Sequence, residues 1–196
     1  LLVFGSFGHL PFNQRGHRLF KCAKEILRYL VSLEATSFYH CISRCVRRAW
    51  LCGDDPYTGE SFEHRRKWVL DRLRQLSEIF AIDICAYAIL SNHYHVVLHV
   101  DSEKAKAWSE RQVILQWTQL YKGNLLADRY LSGDTMSRAE SAALSGLIEE
   151  WRLRLYDISW FMRCLNEHLA HKANEEQNGG HPKKYCDVYE NRVVFI

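Results

Sequence analysis

Two runs rich in β-forming apolar residues, Ile82–Leu90 and His93–Val100, are separated only by Ser91-Asn92. So short a connection predicts an antiparallel β-hairpin, which ties the fold to classes built on an antiparallel sheet. The second run also alternates. Successive side chains on a strand point to opposite faces, so His93 and His95 share one face while Tyr94, Val96 and Leu98 share the other. Neutral imidazole is a good divalent-metal ligand, and a strand holds two rings in a fixed relation. His93 and His95 are therefore the candidate metal ligands. His99 is on the same face but roughly 13 Å beyond His95, too far to join them. Set against this is a plainer account, in which the pair is two half-buried, hydrogen-bonded histidines on a core strand.

The elements around the hairpin follow from pattern and punctuation. Residues 36–50 are rich in β-formers, with Phe38, His40 and Ile42 on one face and Tyr39, Cys41 and Ser43 on the other, and predict a strand. Gly53–Gly59 reads as a loop. Ser61 offers an N-cap for a helix reaching about Phe80, with Trp68, Leu73, Leu76 and Phe80 as its apolar stripe and Arg65, Arg66, Arg72 and Arg74 mostly outside. Residues 104–121 predict a second helix closed by Gly123, and residues 124–136 a connector. Residues 137–176 are helical, with a break near Asp157-Ile158-Ser159, and Asn178-Gly179-Gly180-His181-Pro182 ends them. The only candidate for a last strand is the Val193–Ile196 tail.

The order β-α-β-β-α, with a further helical region and this tail, predicts an α+β fold: a ferredoxin-like β-α-β-β-α(-β) arrangement with an antiparallel sheet and helices on one face. Three segments are expected. Residues 1–33 form an N-terminal appendage, as an open reading frame extended upstream of its natural start would produce. Residues 34–178 form the domain, with a helical insertion at 124–178, and residues 179–196 an atypical tail.

At 196 residues, 47% hydrophobic and 13% aromatic, the chain is globular in class, and a net charge of +3 says little about partners. The seven cysteines (Cys22, Cys41, Cys45, Cys52, Cys85, Cys164 and Cys186) form no C-x-x-C pair. An odd count points to reduced thiols and a cytoplasmic location. A zinc module using Cys41, Cys45 and Cys52 lacks standard ligand spacing. No apolar run has the roughly 20 residues a membrane span needs. Arg44, Arg47 and Arg48 form a basic cluster beside strand aromatics, with Arg65, Arg66 and Lys67 following, and such clusters bind phosphate as readily as they form a solvated face. Trp50, Trp68, Trp108, Trp117 and Trp151 are read as core rather than as base-stacking platforms. His40 is read as a core histidine or as one supporting the metal face. His168 and His171, three apart on a helix, are read as exposed.

Three separated motifs stand in order: the strand Phe38–Arg48, the hairpin Ala86–Leu98 with Ser91-Asn92-His93-Tyr94-His95, and Trp160–Asn166. Together they resemble the single-tyrosine HUH transposases, in particular the REP-associated tyrosine transposase branch, over about residues 34–178. The resemblance implies that His93 and His95 bind Mg²⁺ or Mn²⁺ and that a third, amide-bearing ligand comes from a C-terminal helix. A tyrosine on that helix would attack single-stranded, hairpin-bearing DNA, leaving a 5′-phosphotyrosine link and a free 3′-OH. It further implies DNA contacts at Arg44, Arg47 and Arg48, and a homodimer. The pattern departs from the family at its end. The family's helix carries its tyrosine four residues before an Asn or Gln, whereas Tyr185 is followed at that spacing by Tyr189 and Tyr189 by Val193. Tyr185 and Tyr189 are the late candidates for the nucleophile, and Tyr156 reads as structural. The tail therefore reads as a premature end, such as a frameshifted copy would have. The expected function is metal-dependent cleavage and strand transfer of single-stranded DNA, impaired in this chain. The alternative is a catalytically inactive remnant that binds nucleic acid or folds without turnover.

Overall fold

A computed structural model describes residues 36–45, 50–178 and 189–195. The appendage expected over 1–33, most of the tail, and Arg47, Arg48 and Tyr185 lie outside the described residues. The described chain runs β1 (Phe38–Cys45), α1 (Arg65–Ile79), β2 (Ile82–Ile89), β3 (His93–Val100), α2 (Ser102–Ala107), α3 (Glu110–Thr118), α4 (Leu125–Ser132), α5 (Arg138–Arg154), α6 (Ile158–Asn178) and β4 (Tyr189–Phe195). It is an α+β fold.

The predicted hairpin forms. Leu90 N–H donates to His93 O at 2.9 Å across Ser91-Asn92, and β2 pairs antiparallel with β3, with a bulge between Ile84 and Ala86. The β3 strand pairs on its other side with β1, Ile42 facing His95 and Arg44 facing His93. The β4 strand adds to the outer side of β1 with Cys45 facing Tyr189. The sheet order is thus β2-β3-β1-β4, antiparallel throughout. A strand therefore does form within the tail, and it begins at Tyr189, earlier than the Val193–Ile196 run that suggested it.

Period-2 alternation divides the two central strands sharply. Tyr39, Cys41, Ser43 and Cys45 of β1 and Tyr94, Val96, Leu98 and Val100 of β3 are buried. Val69, Leu73, Leu76 and Ile79 recur along α1 at helical spacing and are buried too, as are Phe161, Leu165 and Leu169 of α6. Phe80, just past α1, meets Phe161 edge-on at 5.4 Å. Asn166 of α6 bonds to both central strands on their buried side (below), so α6 lies against that face. The second helical group closes around Trp117, which stacks on Trp151 at 5.9 Å and meets Trp160 edge-on at 5.6 Å. Trp117 and Trp151 are core residues, as expected.

Four expectations need correction. Ser61 is not a helix cap: it bridges to Asp54 across the Gly53–Gly59 turn, and α1 begins at Arg65 after His64, which makes no side-chain cap bond. Arg65 is not outside but 4% exposed, because its guanidinium is ion-paired with Glu176 of α6, Nε donating at 2.7 Å and Nη2 lying 2.5 Å from the carboxylate, while Nη1 donates to the Trp50 carbonyl at 2.9 Å. The single helix expected over 104–121 is two. Ser109 and Gln112 form a capping box that starts α3 afresh, and Arg152 donates to the Ala105 and Trp108 carbonyls at 2.8 and 2.6 Å, satisfying groups freed at the end of α2. The expected connector 124–136 contains α4, capped by Asn124 and stopped by Gly133 in the left-handed conformation, φ 79°. The break near Asp157 and the start at Ser137, with its Ser137–Glu140 capping box, are as the sequence predicts.

Candidate metal and nucleic-acid site

The sheet face opposite α6 carries the histidines. Antiparallel partners share a face, so the register puts Arg44 beside His93, Ile42 beside His95 and Phe38 beside His99. The rings of His93 and His95 are 5.1 Å apart and nearly perpendicular. An ion about 2 Å from each Nε2 would lie about 3 Å from each ring centre, so two rings bound side by side to one ion would have centres about 4.5–5 Å apart. The observed spacing fits.

The hydrogen bond to Asn92 sets the tautomer of His93. His93 Nδ1 lies 2.6 Å from Asn92 Oδ1. An amide oxygen only accepts, so Nδ1 carries the proton and Nε2 keeps its lone pair. His95 Nδ1 lies 2.8 Å from His40 Nε2, and the two rings stack at 5.0 Å. When His95 donates in that bond, its Nε2 is likewise left as a ligand. A metal-binding histidine ordinarily has its second nitrogen bonded in this way. His40 is thus the orienting partner of His95. Burial holds His40 and His93 below the ordinary histidine range; His95 adds to this at His40, and His95 with Arg44 at His93. Both favour the neutral ring that coordination needs.

The turn before His93 is strapped down. Leu51 and Cys52 N–H both donate to Ser91 O (2.6 and 3.2 Å), Cys45 N–H to Asn92 O at 2.9 Å, and Arg66 to Ile89 O at 2.5 Å. Asn92, which orients His93, is itself held through its backbone.

The donor set is short. Among the described residues no group of three or more His, Cys, Asp or Glu side chains could hold a metal ion. Two imidazoles would leave the remaining positions to water or phosphate oxygens. His99 sits apart, 3.4 Å from Asp83. His168 is half-buried and His171 exposed, and they form no such group. Cys41, Cys45 and Cys52 are buried, with the Cys41 thiol pushed up to about 12 by burial, which opposes the thiolate a zinc site needs.

Arg44 is exposed beside His93, the place where a cation would meet a phosphate at the ring pair. Arg65 and Arg66 are taken up in bonds to Glu176, Trp50, Glu63 and Ile89. Tyr39 and Tyr94, the tyrosines adjoining His40, His93 and His95 in sequence, are buried on the helix side. Tyr189 stands in register opposite Cys45, one position beyond the Arg44–His93 pair.

The roles of Asn92 and Asn166 are not assigned by the sequence motifs that contain them. A side-chain amide directly before H-x-H is a usable signal for the first. Comparisons with known proteins find no matching family model, no similar curated protein and no similar solved structure. No helix among the described residues is long and apolar enough to cross a membrane.

Proposed function

We propose that the chain is a DNA-binding protein of the HUH transposase type, with His93 and His95 holding Mn²⁺ or Mg²⁺ and Arg44, Arg47 and Arg48 meeting a single-stranded or hairpin DNA. The observation that carries this is the bonding of the pair: both Nδ1 atoms are engaged, that of His93 by Asn92 and that of His95 by His40, which leaves Nε2 of His93 as a ligand and, when His95 donates to His40, Nε2 of His95 as well. A bound divalent ion would supply charge neutralisation at a phosphodiester. Two imidazoles without a carboxylate suit Mn²⁺ better than Mg²⁺, which prefers oxygen ligands. The ferredoxin-like arrangement belongs to the same reading, supported by the order β2-β3-β1-β4 with helices between β1 and β2 and between β3 and β4. Tyr185 and Tyr189 are the proposed nucleophiles, and the protein acts in the cytoplasm as a homodimer.

A second reading, a catalytically inactive protein that still binds nucleic acid, is favoured by one observation. The tyrosines adjoining the three histidines are buried on the far side of the sheet, and Tyr189 stands in register with Cys45 rather than with a histidine. The test is a denaturing gel of the protein incubated with labelled single-stranded hairpin DNA and Mn²⁺, beside a His93→Ala/His95→Ala control. A covalent band lost in the control supports cleavage chemistry, and peptide mapping then identifies the tyrosine. No band, with hairpin binding retained and weakened by Arg44→Ala, supports the second reading. Neither a band nor binding sinks both.

A further inference from the structure

Asn166 is a polar side chain in an apolar place. It is 7% exposed, on α6, next to the fully buried Leu165 in sequence and bonded to residues of the sheet's buried face. Its Oδ1 accepts from Tyr94 Oη at 2.6 Å and from Ser43 Oγ at 3.1 Å. Those donors are fully buried and stand directly opposite each other in the β1–β3 register. A carbonyl oxygen has two lone pairs, and here each takes a hydroxyl from a different strand. Tyr94 is the residue between His93 and His95, and Ser43 is the residue before Arg44. One amide on a helix therefore grips the two central strands at the level of the candidate ligands, from behind.

Stability alone does not call for this arrangement. Removing one member strands a buried polar group, at a cost of about 1–3 kcal/mol, whereas replacing all partners by apolar groups of similar shape can be nearly neutral. What a satisfied polar cluster adds, and a greasy contact does not, is direction. A rotation or slip of β3 on α6 that methyl groups would tolerate breaks the Tyr94 bond. It also moves the His93 and His95 rings relative to Asn92 and His40.

We infer that Asn166 is a positioning residue for the His93–His95 pair: through Tyr94 and Ser43 it holds β3 against β1 so that both imidazoles keep their Nδ1 partners and present their Nε2 atoms together. The inference rests on the metal-binding reading for its purpose, and its test separates the two.

Tyr94→Phe removes only the hydroxyl, and Asn166→Leu/Tyr94→Phe replaces the helix–β3 contact by an apolar one. The ¹⁵N shifts of the histidine rings, recorded without metal at neutral pH, report which nitrogen carries the proton. Mn²⁺ titration then reports affinity. In the wild-type protein His93 and His95 are expected in the Nδ1–H form. Both variants are expected to unfold cooperatively in urea, to show mixed tautomers at His93 and His95, and to bind Mn²⁺ about 10- to 100-fold more weakly, the range usual for loss of a group that orients a ligand. Wild-type ring shifts in both folded variants overturn the inference. If the wild-type protein binds no Mn²⁺, the metal reading fails, and the positioning role is judged on the tautomers alone.

Discussion

Removing Glu176 should cost more stability than removing its partner Arg65. The guanidinium is the buried member: the Arg65 side chain is 5% exposed and that of Glu176 31%. Arg65 donates to Glu176 through Nε, with Nη2 ion-paired to the same carboxylate, donates through Nη1 to the Trp50 carbonyl, and lies over the Phe62 ring at 4.1 Å. Breaking a fully buried pair by deleting one partner costs about 3–5 kcal/mol, because a buried charge is left uncompensated. Water reaches Glu176, so the loss for Glu176→Ala is taken below that range, at about 2 kcal/mol. Arg65→Met leaves a carboxylate that can turn to solvent and keeps an unbranched stem over Phe62, so about 1 kcal/mol is expected. With a urea slope of about 2 kcal/mol per M for a domain of this size, the midpoint should fall by about 1 M for Glu176→Ala and about 0.5 M for Arg65→Met. The assay is equilibrium urea unfolding followed by tryptophan fluorescence, with the slope required to stay constant. An Arg65→Met loss equal to or larger than the Glu176→Ala loss would refute the reasoning, since it would mean that the orphaned guanidinium finds water.

Two further outcomes are expected. His40, His93 and His168 are all held below the ordinary histidine range, in each case chiefly by burial. The unfolded chain then binds protons first, so the stability they contribute is complete above about pH 6.5 and is lost as pH falls through their folded values. Urea midpoints should therefore drop between pH 7.5 and pH 5, less steeply in His168→Gln, and a flat profile over that window would count against the burial of these rings. Ser137→Ala removes one half of the box that starts α5 and should lower stability by about 1 kcal/mol, read from the same unfolding curves. A Ser137→Asp control, which keeps an acceptor, should stay close to the wild type.

What the sequence reveals and what it hides divide along physical lines. The hairpin and its two faces are legible because the signal is local: Ser91-Asn92 allows one topology, and period-2 alternation places Tyr94 inside and His93 outside. The break between α2 and α3 is legible only through Ser109-x-x-Gln112, a capping box inside an otherwise continuous helical pattern. Asn124 and Gly133 mark both ends of α4, which at eight residues is short enough to pass for a loop. Burial of Arg65 could not be read at all, since Glu176 is 111 residues away and a basic residue on a helix is normally solvated. The candidate site shows the same split. His93 and His95 announce themselves by spacing, whereas the partnership of His95 with His40, 55 residues earlier, appears only once β1 and β3 are paired in register.

The position of β1 has a consequence during synthesis. It is the first described strand to be made, yet it ends up between β3 and β4, and the latter is the last described element to emerge. At roughly 5–20 residues per second, the β4 side of β1 waits several seconds or longer for Tyr189–Phe195. Through that interval a run bearing Tyr39, Cys41 and Cys45 has a bare backbone edge, and any extended segment nearby, including β1 of another nascent chain on the same message, can dock there first. How often a ribosome releases a correctly closed sheet should therefore depend on the crowding of neighbouring ribosomes as well as on the stability of the finished fold.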